Sequence, residues 1–388
     1  MRNIRLILLL AGLFQAAFIN AQQVSPDKGI WVRAGFTLSV VQNSIENPRF
    51  MAFDDQGTLY VSLPESGEIK SLKDIDNDGY YETVKTFVTG YPTVQGMYFH
   101  EGWLWFTQSG AIYRAVDRDR DGVADQIETV IPKGSLPEGG GHWWRPILIQ
   151  NNRLFTEIGC SGNISTDEGT DRQKIWSYDL KGGDKKLFAS GIRNTEKLVL
   201  RPGSDEIWGM DHGSDMFGGN LEKKSSTGKQ PITDNNPPDE MNRYIQDGFY
   251  GHPFIVGNRV PRYEYMDRAD IVELAAKTIV PEWATGAHWA PCAMTFYTGS
   301  QFPSECKNDA FVAFHGSWNR SEKAGYCLNR VLFENGHPYG ELKYVNFLSP
   351  DGKVLGRPVD VVVAPDGSLL ISDDNGNMIY RLSWNGGK

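Results

Sequence analysis

The feature that most restricts the fold of this chain is a pattern of β-strands that recurs six times along it. Each copy has an apolar strand, a turn with Gly, Asp or Asn, a second apolar strand and, after a Gly, a third strand that mixes apolar and basic residues. In the last copy the turn Pro365-Asp366-Gly367 separates the first two strands. The six copies occupy residues 50–72, 96–114, 146–179, 197–244, 293–333 and 359–382. Turn-linked strands that recur at this spacing are typical of antiparallel blades arranged around an axis.

Six copies predict an all-β, six-bladed β-propeller of four-stranded antiparallel blades, with a seventh, degenerate blade as an open alternative. The composition agrees, because the chain has 42 Gly, 20 Pro and 11 Trp but few long helical patterns. Three irregular segments, 159–173, 211–238 and 251–291, supply more surface than connections between blades require. We expect these long loops to gather on one face of the propeller and to carry its function.

The first 21 residues have the organisation of a secretory signal peptide. A short basic start is followed by an apolar run and by the small residue Ala21 before Gln22. This run is too short to span a membrane, and no later stretch is long and apolar enough to form a transmembrane segment. We therefore expect a signal peptide at 1–21, a single propeller domain at 22–388, and a secreted or periplasmic protein.

The net charge of the chain restricts its partners. A formal charge of -9 argues against nucleic acid and against an anionic membrane surface. A polyanionic ligand would therefore need a local cluster of Arg side chains or a metal ion.

Four cysteines occur, Cys160, Cys292, Cys306 and Cys327. Export permits disulfides, and four cysteines allow three complete pairings. The sequence favours a bond between Cys306 and Cys327, which flank the predicted strand 310–314, with buried free thiols as the alternative. The chain has no C-x-x-C-H motif, which excludes a covalently attached c-type haem.

A glycine-rich segment, 139–145, brings a titratable side chain to the start of the third repeat. It reads Gly-Gly-Gly-His-Trp-Trp-Arg, so that His142 adjoins two flat aromatic rings. Such a pair of groups suits acid–base chemistry on a sugar or another polyol. The alternative is that His142 only caps a strand. The candidate sugar platforms are Trp143, Trp144, Trp289 and Trp318, and we expect at least two of them to pack between blades instead.

Two loops carry alternating carboxylates with Gly at the sixth place, which is how a calcium-binding loop begins. The candidate ligands of a structural calcium ion are Asp74, Asp76, Asp78, Asp117, Asp119, Asp121 and, at the twelfth place of the second loop, Glu128. Lys85 fills the twelfth place of the first loop, and neither loop has the flanking helices of an EF-hand. The alternative is a pair of acidic turns between outer strands.

Seven short strings share one resemblance. They lie at 141–145, 189–194, 211–214, 234–242, 288–291, 315–320 and 356–359. They include Ala-Ser-Gly-Ile-Arg-Asn at 189–194, Asp-His-Gly-Ser at 211–214 and His-Gly-Ser-Trp-Asn-Arg at 315–320. In this order the strings resemble the soluble glucose/sorbosone dehydrogenases, quinoproteins that use pyrroloquinoline quinone, and most closely their sorbosone and pyranose dehydrogenase branches.

This resemblance implies roles for individual residues. His142 resembles the general base that takes the proton of a sugar hydroxyl while hydride leaves its carbon for the quinone. Arg193 resembles the residue that stabilises negative charge at the quinone oxygens, and Asn194 its hydrogen-bonding neighbour. Arg320 and Arg357 resemble the positions that bind the carboxylates of the cofactor.

The resemblance also implies a catalytic calcium ion, because the backbone carbonyls of Gly213 and Ser214 match the family's calcium site. Gln95 is a further candidate contact of the cofactor. The chain departs from many relatives at Ser214, where they have Pro, although a carbonyl remains available. Glucose-type relatives orient the catalytic His with an Asp, and Cys160 stands in its place here.

The implied activity is that of a quinone-dependent dehydrogenase of an aldose or sugar aldehyde, which passes electrons to an external acceptor such as a cytochrome or a quinone. Because a fold does not determine a function, two alternatives stay open. One is a calcium-dependent lactonase or another non-redox carbohydrate enzyme. The other is a propeller that binds glycans or proteins without catalysis.

Overall fold

The computed structural model describes residues 22–23, 29–217 and 233–386. The expected signal peptide at 1–21 lies outside the described residues. The strands form six main sheets, each built around one sequence repeat, and thus a six-bladed β-propeller, as the repeats predict. No helix within the described residues is long and apolar enough to cross a membrane.

The first half of the chain forms three blades. Three strands precede them: β1 (Gln22–Gln23), β2 (Trp31–Val32) and β3 (Phe36–Gln42). Blade 1 consists of β4 (Met51–Phe53), β5 (Leu59–Leu63), β6 (Glu68–Lys73) and β7 (Thr83–Val88). Blade 2 consists of β8 (Met97–His100), β9 (Trp103–Gln108), β10 (Ala111–Val116) and β11 (Gln126–Ile131). Blade 3 consists of β12 (Leu148–Gln150), β13 (Arg153–Ile158), β14 (Lys174–Asp179) and β15 (Lys186–Ser190).

The second half forms three more blades and a helical insertion. Blade 4 contains β16 (Leu198–Leu200), β17 (Ile207–Asp211), β18 (Glu240–Tyr244) and, later in the chain, β22 (Trp283–Ala284). Between β18 and β22 lie β19 (Gly248–Phe249), the hairpin β20 (Ile255–Val256) and β21 (Val260–Pro261), and the helix α1 (Ile271–Lys277). Blade 5 contains β23 (Pro291–Phe296), β24 (Ala310–Phe314), β25 (Cys327–Glu334) and β26 (His337–Asn346). Blade 6 contains β27 (Pro358–Val363), β28 (Leu369–Asp373) and β29 (Met378–Trp384). Short 3-10 helices occur at Thr233–Asn235, Tyr263–Tyr265 and Ser304–Cys306.

The two ends of the chain close the ring together. β3, from the N-terminal part, supplies the fourth strand of blade 6 by pairing antiparallel with the C-terminal β29, which sets Phe36 opposite Trp384. β1 extends this sheet, β2 adds a fifth strand to blade 5, and β19 adds one to blade 3. Three blades therefore depend on strands that lie far from their own repeat in the sequence.

The core lies between neighbouring blades, where apolar side chains of facing sheets meet. Trp208 of blade 4, for example, is fully buried and packs edge-on against Phe296 and Phe333 of blade 5. Cys306 belongs to the cluster between blades 5 and 6, whereas Cys327 belongs to the cluster between blades 4 and 5. All four cysteines are free and buried, so the expected Cys306–Cys327 disulfide is not formed: the blade 5 sheet separates the two thiols.

The alternating strand directions define two faces of the propeller. One face holds the loop before the first strand of each blade and the connection between its second and third strands, and we call it the upper face. The opposite end is the lower face. The three long segments meet on the upper face. The Asn163 side chain donates to the carbonyl of Asp215, Tyr265 donates to the carbonyl of Ile164, and Arg262 donates to the hydroxyl of Ser214.

Candidate active site

A cavity of about 140 Å³ opens on the upper face, where loops of blades 3, 4 and 5 converge. Its described lining residues are His142, Arg193, His212, Gly213, Asp215, Asp239, His288, Ala290, Trp318 and Asn319. His142 and Arg193, the two residues expected to do the chemistry, thus line one cavity, although 51 positions separate them in the sequence. Three of the four candidate tryptophans have other contacts, since Trp143 and Trp144 lie against each other and Trp289 packs edge-on against Phe314. Trp318 is 64% exposed at the cavity and is the remaining ring on this surface that could receive a sugar.

The backbone around His142 determines which of its ring nitrogens carries the proton. Nδ1 lies 3.1 Å from the carbonyl oxygen of Cys160 and must donate to it, which leaves Nε2 with its lone pair. A Cβ on Gly159 would lie 2.6 Å from Cβ of His142, so only glycine permits this approach. Cys160, which stands where glucose-type relatives carry Asp, therefore orients His142 through its backbone carbonyl rather than through its side chain.

The electrostatic environment keeps His142 neutral. Burial, together with the positive charge of Arg193, holds the pKa of His142 well below its usual range. A neutral imidazole with a free Nε2 is the form that can accept a proton from a substrate hydroxyl.

The side chain of Arg193 is fixed by contacts from two loops. Its Nε donates to the carbonyl of Asn163 and its Nη2 to the Oδ1 of Asn163, both at 3.0 Å. Nη2 also forms an ion pair with Asp215 at 3.2 Å, while Nη1 lies 3.4 Å from the carbonyl of His212. Below the guanidinium, the buried carboxylate of Asp211 accepts the backbone N–H groups of Arg193 and Asn194. The result is a positive group with little freedom, held beside the histidine.

The candidate calcium ligands Gly213 and Ser214 lie in the connection that follows β17. The N–H of Gly213 donates to Asp239 Oδ1 at 2.7 Å, and the other oxygen of Asp239 accepts the N–H of Ala290 at 3.0 Å. Burial raises the pKa of Asp239 to about 7. A Cβ at Gly213 would lie 2.5 Å from the carbonyl oxygen of Pro238, so glycine is required where these two loops pack.

The structure does not bring the other predicted cofactor contacts into the cavity: none of Gln95, Asn194, Arg320 and Arg357 is among its described lining residues. Arg320 follows Asn319 in the chain and donates to the carbonyl of Ala287 at 3.1 Å. Arg357 donates to the carbonyls of His315 and Gly316 at 3.1 and 3.4 Å.

Sequence reasoning assigned no role to several residues that belong to this face. His212, Asp215, His288 and Asn319 line the cavity, and Asn319 donates to Asp215 at 2.7 Å. The strings of family resemblance already contain His212, His288 and Asn319, so the signal for them was present.

A charged network lies beside the cavity. Arg49 forms ion pairs with Glu196 at 3.0 Å and with Asp374 at 2.7 Å, and Asp374 also contacts His315 at 2.9 Å. The guanidinium of Arg49 lies 4.4 Å above the ring of Trp144. No short sequence motif joins these residues, which lie in the connections of different blades.

Several buried polar atoms on this face lack a hydrogen-bond partner among the described residues. They are Gln95 Oε1, Asn194 Oδ1, His212 Nε2, His252 Nε2 and Asn319 Oδ1. Buried polar atoms in folded proteins nearly always have partners, so a concentration of unpartnered atoms is expected where a ligand completes the hydrogen bonds.

The Asp-rich loops lie on the lower face, away from the cavity. The carboxylates of Asp74, Asp76 and Asp78 come within 4.8 Å of one another. In the second loop the corresponding group is Asp117, Asp119 and Asp125. Asp121 instead accepts the N–H of Val123, and Glu128, expected as the twelfth ligand, forms an ion pair with Arg114 at 2.5 Å. Arg114 and Glu128 are direct partners of β10 and β11, which accounts for this departure from the expected ligand set.

Comparison with known proteins gives a family and a set of similar folds. Residues 25–384 match the model of a family described as "Domain of unknown function (DUF7133)". An uncharacterized protein of Borreliella burgdorferi is 28% identical over 387 residues, which cover 95% of this chain and 94% of that protein.

Among solved structures, a carbohydrate-active enzyme of family AA12 from Trichoderma reesei superposes with a TM-score of 0.78 at 19% identity, covering 94% of this chain and 99% of that one. The pyranose dehydrogenase PQQ domain of Coprinopsis cinerea gives 0.75 at 18% identity, over 91% of this chain and 97% of that one. The soluble aldose sugar dehydrogenase of Escherichia coli gives 0.64 at 18% identity, over 90% and 99%. At these identities the similarity establishes a shared fold.

Proposed function

The chain belongs to the DUF7133 family, and we propose that it is a sugar dehydrogenase that uses pyrroloquinoline quinone. Its substrate would be an aldose or a sugar aldehyde, and its electrons would pass to an external acceptor, a cytochrome or a quinone. The observation that carries the proposal is the single cavity lined by His142, with a free and neutral Nε2, and by the fixed guanidinium of Arg193. The similar structures include sugar dehydrogenases that hold this quinone, which supports the choice of cofactor.

The residues on the upper face fit a quinone with three carboxylates. Arg193 lines the cavity, and Arg320 follows the lining residue Asn319 in the chain. Together with Arg357 these guanidinium groups would bind the carboxylates and quinone oxygens. The unpartnered oxygens of Gln95 and Asn194 could accept hydrogen bonds from the same ligand. The carbonyls of Gly213 and Ser214 would hold calcium, a hard cation that prefers oxygen ligands, with the carboxylate of Asp239 beside them.

In the proposed reaction the bound quinone would supply a two-electron acceptor for the hydride of the substrate. His142 Nε2 would take the proton of the substrate hydroxyl, so that a carbonyl forms at the oxidised carbon. The Cys160 carbonyl would keep the ring in the required tautomer throughout. Arg193, itself buried, would stabilise the negative charge that develops beside it. Trp318 would offer an aromatic face to the sugar ring.

We also infer that the protein is exported by the signal at 1–21 and acts as a single domain at 22–388. The two Asp-rich loops on the lower face would bind structural calcium through the clusters Asp74, Asp76, Asp78 and Asp117, Asp119, Asp125.

Titration of the purified protein with the quinone in the presence of calcium tests the proposal. We expect one equivalent of quinone to bind, sugar-dependent reduction of an artificial dye to appear, and a calcium chelator to abolish both. Failure to bind quinone would refute the proposal. Binding without dye reduction by any sugar would instead indicate a binding propeller, and calcium-dependent lactone hydrolysis without quinone would indicate the non-redox alternative.

The dependence of the rate on pH gives a second prediction. Since the pKa of His142 lies well below the usual value of about 6.5, the base should stay neutral in mildly acidic solution. The kcat/KM for sugar should therefore fall only as the pH drops through that lowered pKa. Dye-reduction rates across a pH series measure this. A fall centred near the ordinary pKa of histidine would contradict the prediction.

A further inference from the structure

A second set of metal-ligating side chains lies next to the cavity and has no part in the reaction proposed above. Glu196 lies in the loop before β16, His212 follows β17, and Cys292 lies in β23. One ligand atom from each of these three residues, an oxygen, a nitrogen and a sulfur, comes within 4.8 Å of the other two. We call these residues the Glu196–His212–Cys292 cluster. Carboxylate, imidazole and thiolate are the side chains that bind zinc in proteins.

His212 presents an unprotonated nitrogen to this cluster. One ring nitrogen donates a hydrogen bond to the backbone carbonyl of Pro291, since proline has no N–H to offer. The other nitrogen, Nε2, is the one that faces the cluster. It lies 3.9 Å from Glu196 Oε1 and has no hydrogen-bond partner among the described residues. An unpartnered buried nitrogen calls for an explanation, and a metal ion between Nε2 and the carboxylate would bind both groups.

The surroundings of Glu196 resemble the outer shell of a metal site. Asn194 donates to Oε1 at 3.2 Å, and Gln95 lies 3.5 Å from Oε2. Both amides are at least nine-tenths buried, and in both the side-chain oxygen lacks a partner among the described residues. Groups that hold a ligating carboxylate in this way fix its orientation toward the metal.

Charges of both signs surround the cluster. Arg49 is the cation that contacts Glu196, and Asp374 already shares its charge, since the two ion pairs measure 3.0 and 2.7 Å. Near Cys292, the positive charges of Arg49 and Arg357 are balanced by the carboxylates of Glu196 and Asp374, so the thiolate that forms on metal binding supplies the additional negative charge. Burial and the charge of Glu196 raise the pKa of the Cys292 thiol well above its usual range. A metal ion must therefore displace the thiol proton when it binds, as metals do at cysteine ligands.

We propose that the Glu196–His212–Cys292 cluster binds one divalent transition-metal ion of the zinc type. Ligand atoms around tetrahedral zinc lie about 3.5 Å apart, so the cluster needs to contract by about 1 Å. Three protein ligands leave a fourth position for water or another small ligand, as in catalytic zinc sites. The nitrogen and sulfur donors distinguish this site from the calcium site proposed at Gly213 and Ser214.

Cobalt(II), a spectroscopic substitute for zinc, tests the proposal in the protein freed of metal by a chelator and without quinone or sugar. We expect one equivalent to bind and to produce a sulfur-to-cobalt charge-transfer band with the visible bands of a tetrahedral site. Cys292→Ser should lose the charge-transfer band and bind cobalt at least about 10- to 100-fold more weakly. Cys327→Ser is the matched control, because Cys327 is equally buried but lies outside the cluster, and it should keep both properties.

A wild-type protein without the charge-transfer band at stoichiometric cobalt, or a Cys292→Ser variant that keeps it, would overturn the metal site. If circular dichroism shows that Cys292→Ser does not fold, Glu196→Gln takes its place. That variant should keep the charge-transfer band and lose about 10- to 100-fold in affinity, and unchanged affinity would equally overturn the proposal. Because quinone takes no part in the test, its outcome is independent of the proposed dehydrogenase activity.

Discussion

Replacement of His142 by glutamine should lower the rate of sugar-dependent dye reduction by about 10²–10⁴-fold, the contribution typical of a general base. Glutamine can still donate a hydrogen bond to the Cys160 carbonyl, which Nδ1 of the histidine reaches at 3.1 Å, but it offers no basic nitrogen to the substrate. The quinone should bind to the variant as it binds to the wild type, because the proposed carboxylate contacts belong to arginines. Stopped-flow dye reduction and a quinone titration measure the two effects separately.

His337→Gln is the control for this substitution, because the His337 side chain is 69% exposed on β26 and its change should leave the rate unaltered. Full turnover by His142→Gln would show that His142 is not the general base. The most direct replacement would then be His212, which lines the same cavity and is also neutral.

The blades could be predicted from the sequence because each blade is largely a local structure. The first repeat predicts strands at 50–53, 58–62 and 67–72, and the observed strands are Met51–Phe53, Leu59–Leu63 and Glu68–Lys73. Their turns and alternating apolar residues lie within the same short segment. The closure of blade 6 could not be predicted in this way, since Phe36–Gln42 joins Met378–Trp384 across almost the whole chain.

At the candidate site, too, some features could be predicted from the sequence and others could not. The resemblance and the propeller fold together predict that His142 and Arg193 share a cavity, because the long loops of a propeller converge on one face. The way His142 is oriented escaped prediction, because the acceptor is the backbone of Cys160 and a sequence displays only side chains. Glu128 was misjudged because its partner Arg114 lies on the neighbouring strand, at a register that loop spacing does not reveal.

Substitution of Arg193 by methionine should lower kcat by about 10²–10³-fold, the usual effect of losing one group that stabilises developing negative charge. It should also change the dependence of the rate on pH. The charge of Arg193 is one cause of the low pKa of His142, so its removal should raise that pKa. The acid limb of the kcat/KM profile should therefore move to higher pH, a change that a purely structural role of Arg193 would not produce.

Two further variants separate charge from geometry at this position. Arg193→Lys keeps a positive charge, so the acid limb should stay near its wild-type position, but a lysine cannot reproduce the fork that contacts Asn163 and Asp215. Its kcat should fall between those of the wild type and the methionine variant. Arg153→Met, which removes a more exposed arginine paired with Asp184, should change neither kcat nor the pH profile. An Arg193→Met variant with a normal kcat and an unmoved acid limb would exclude Arg193 from the chemistry, since both effects follow from its charge beside His142.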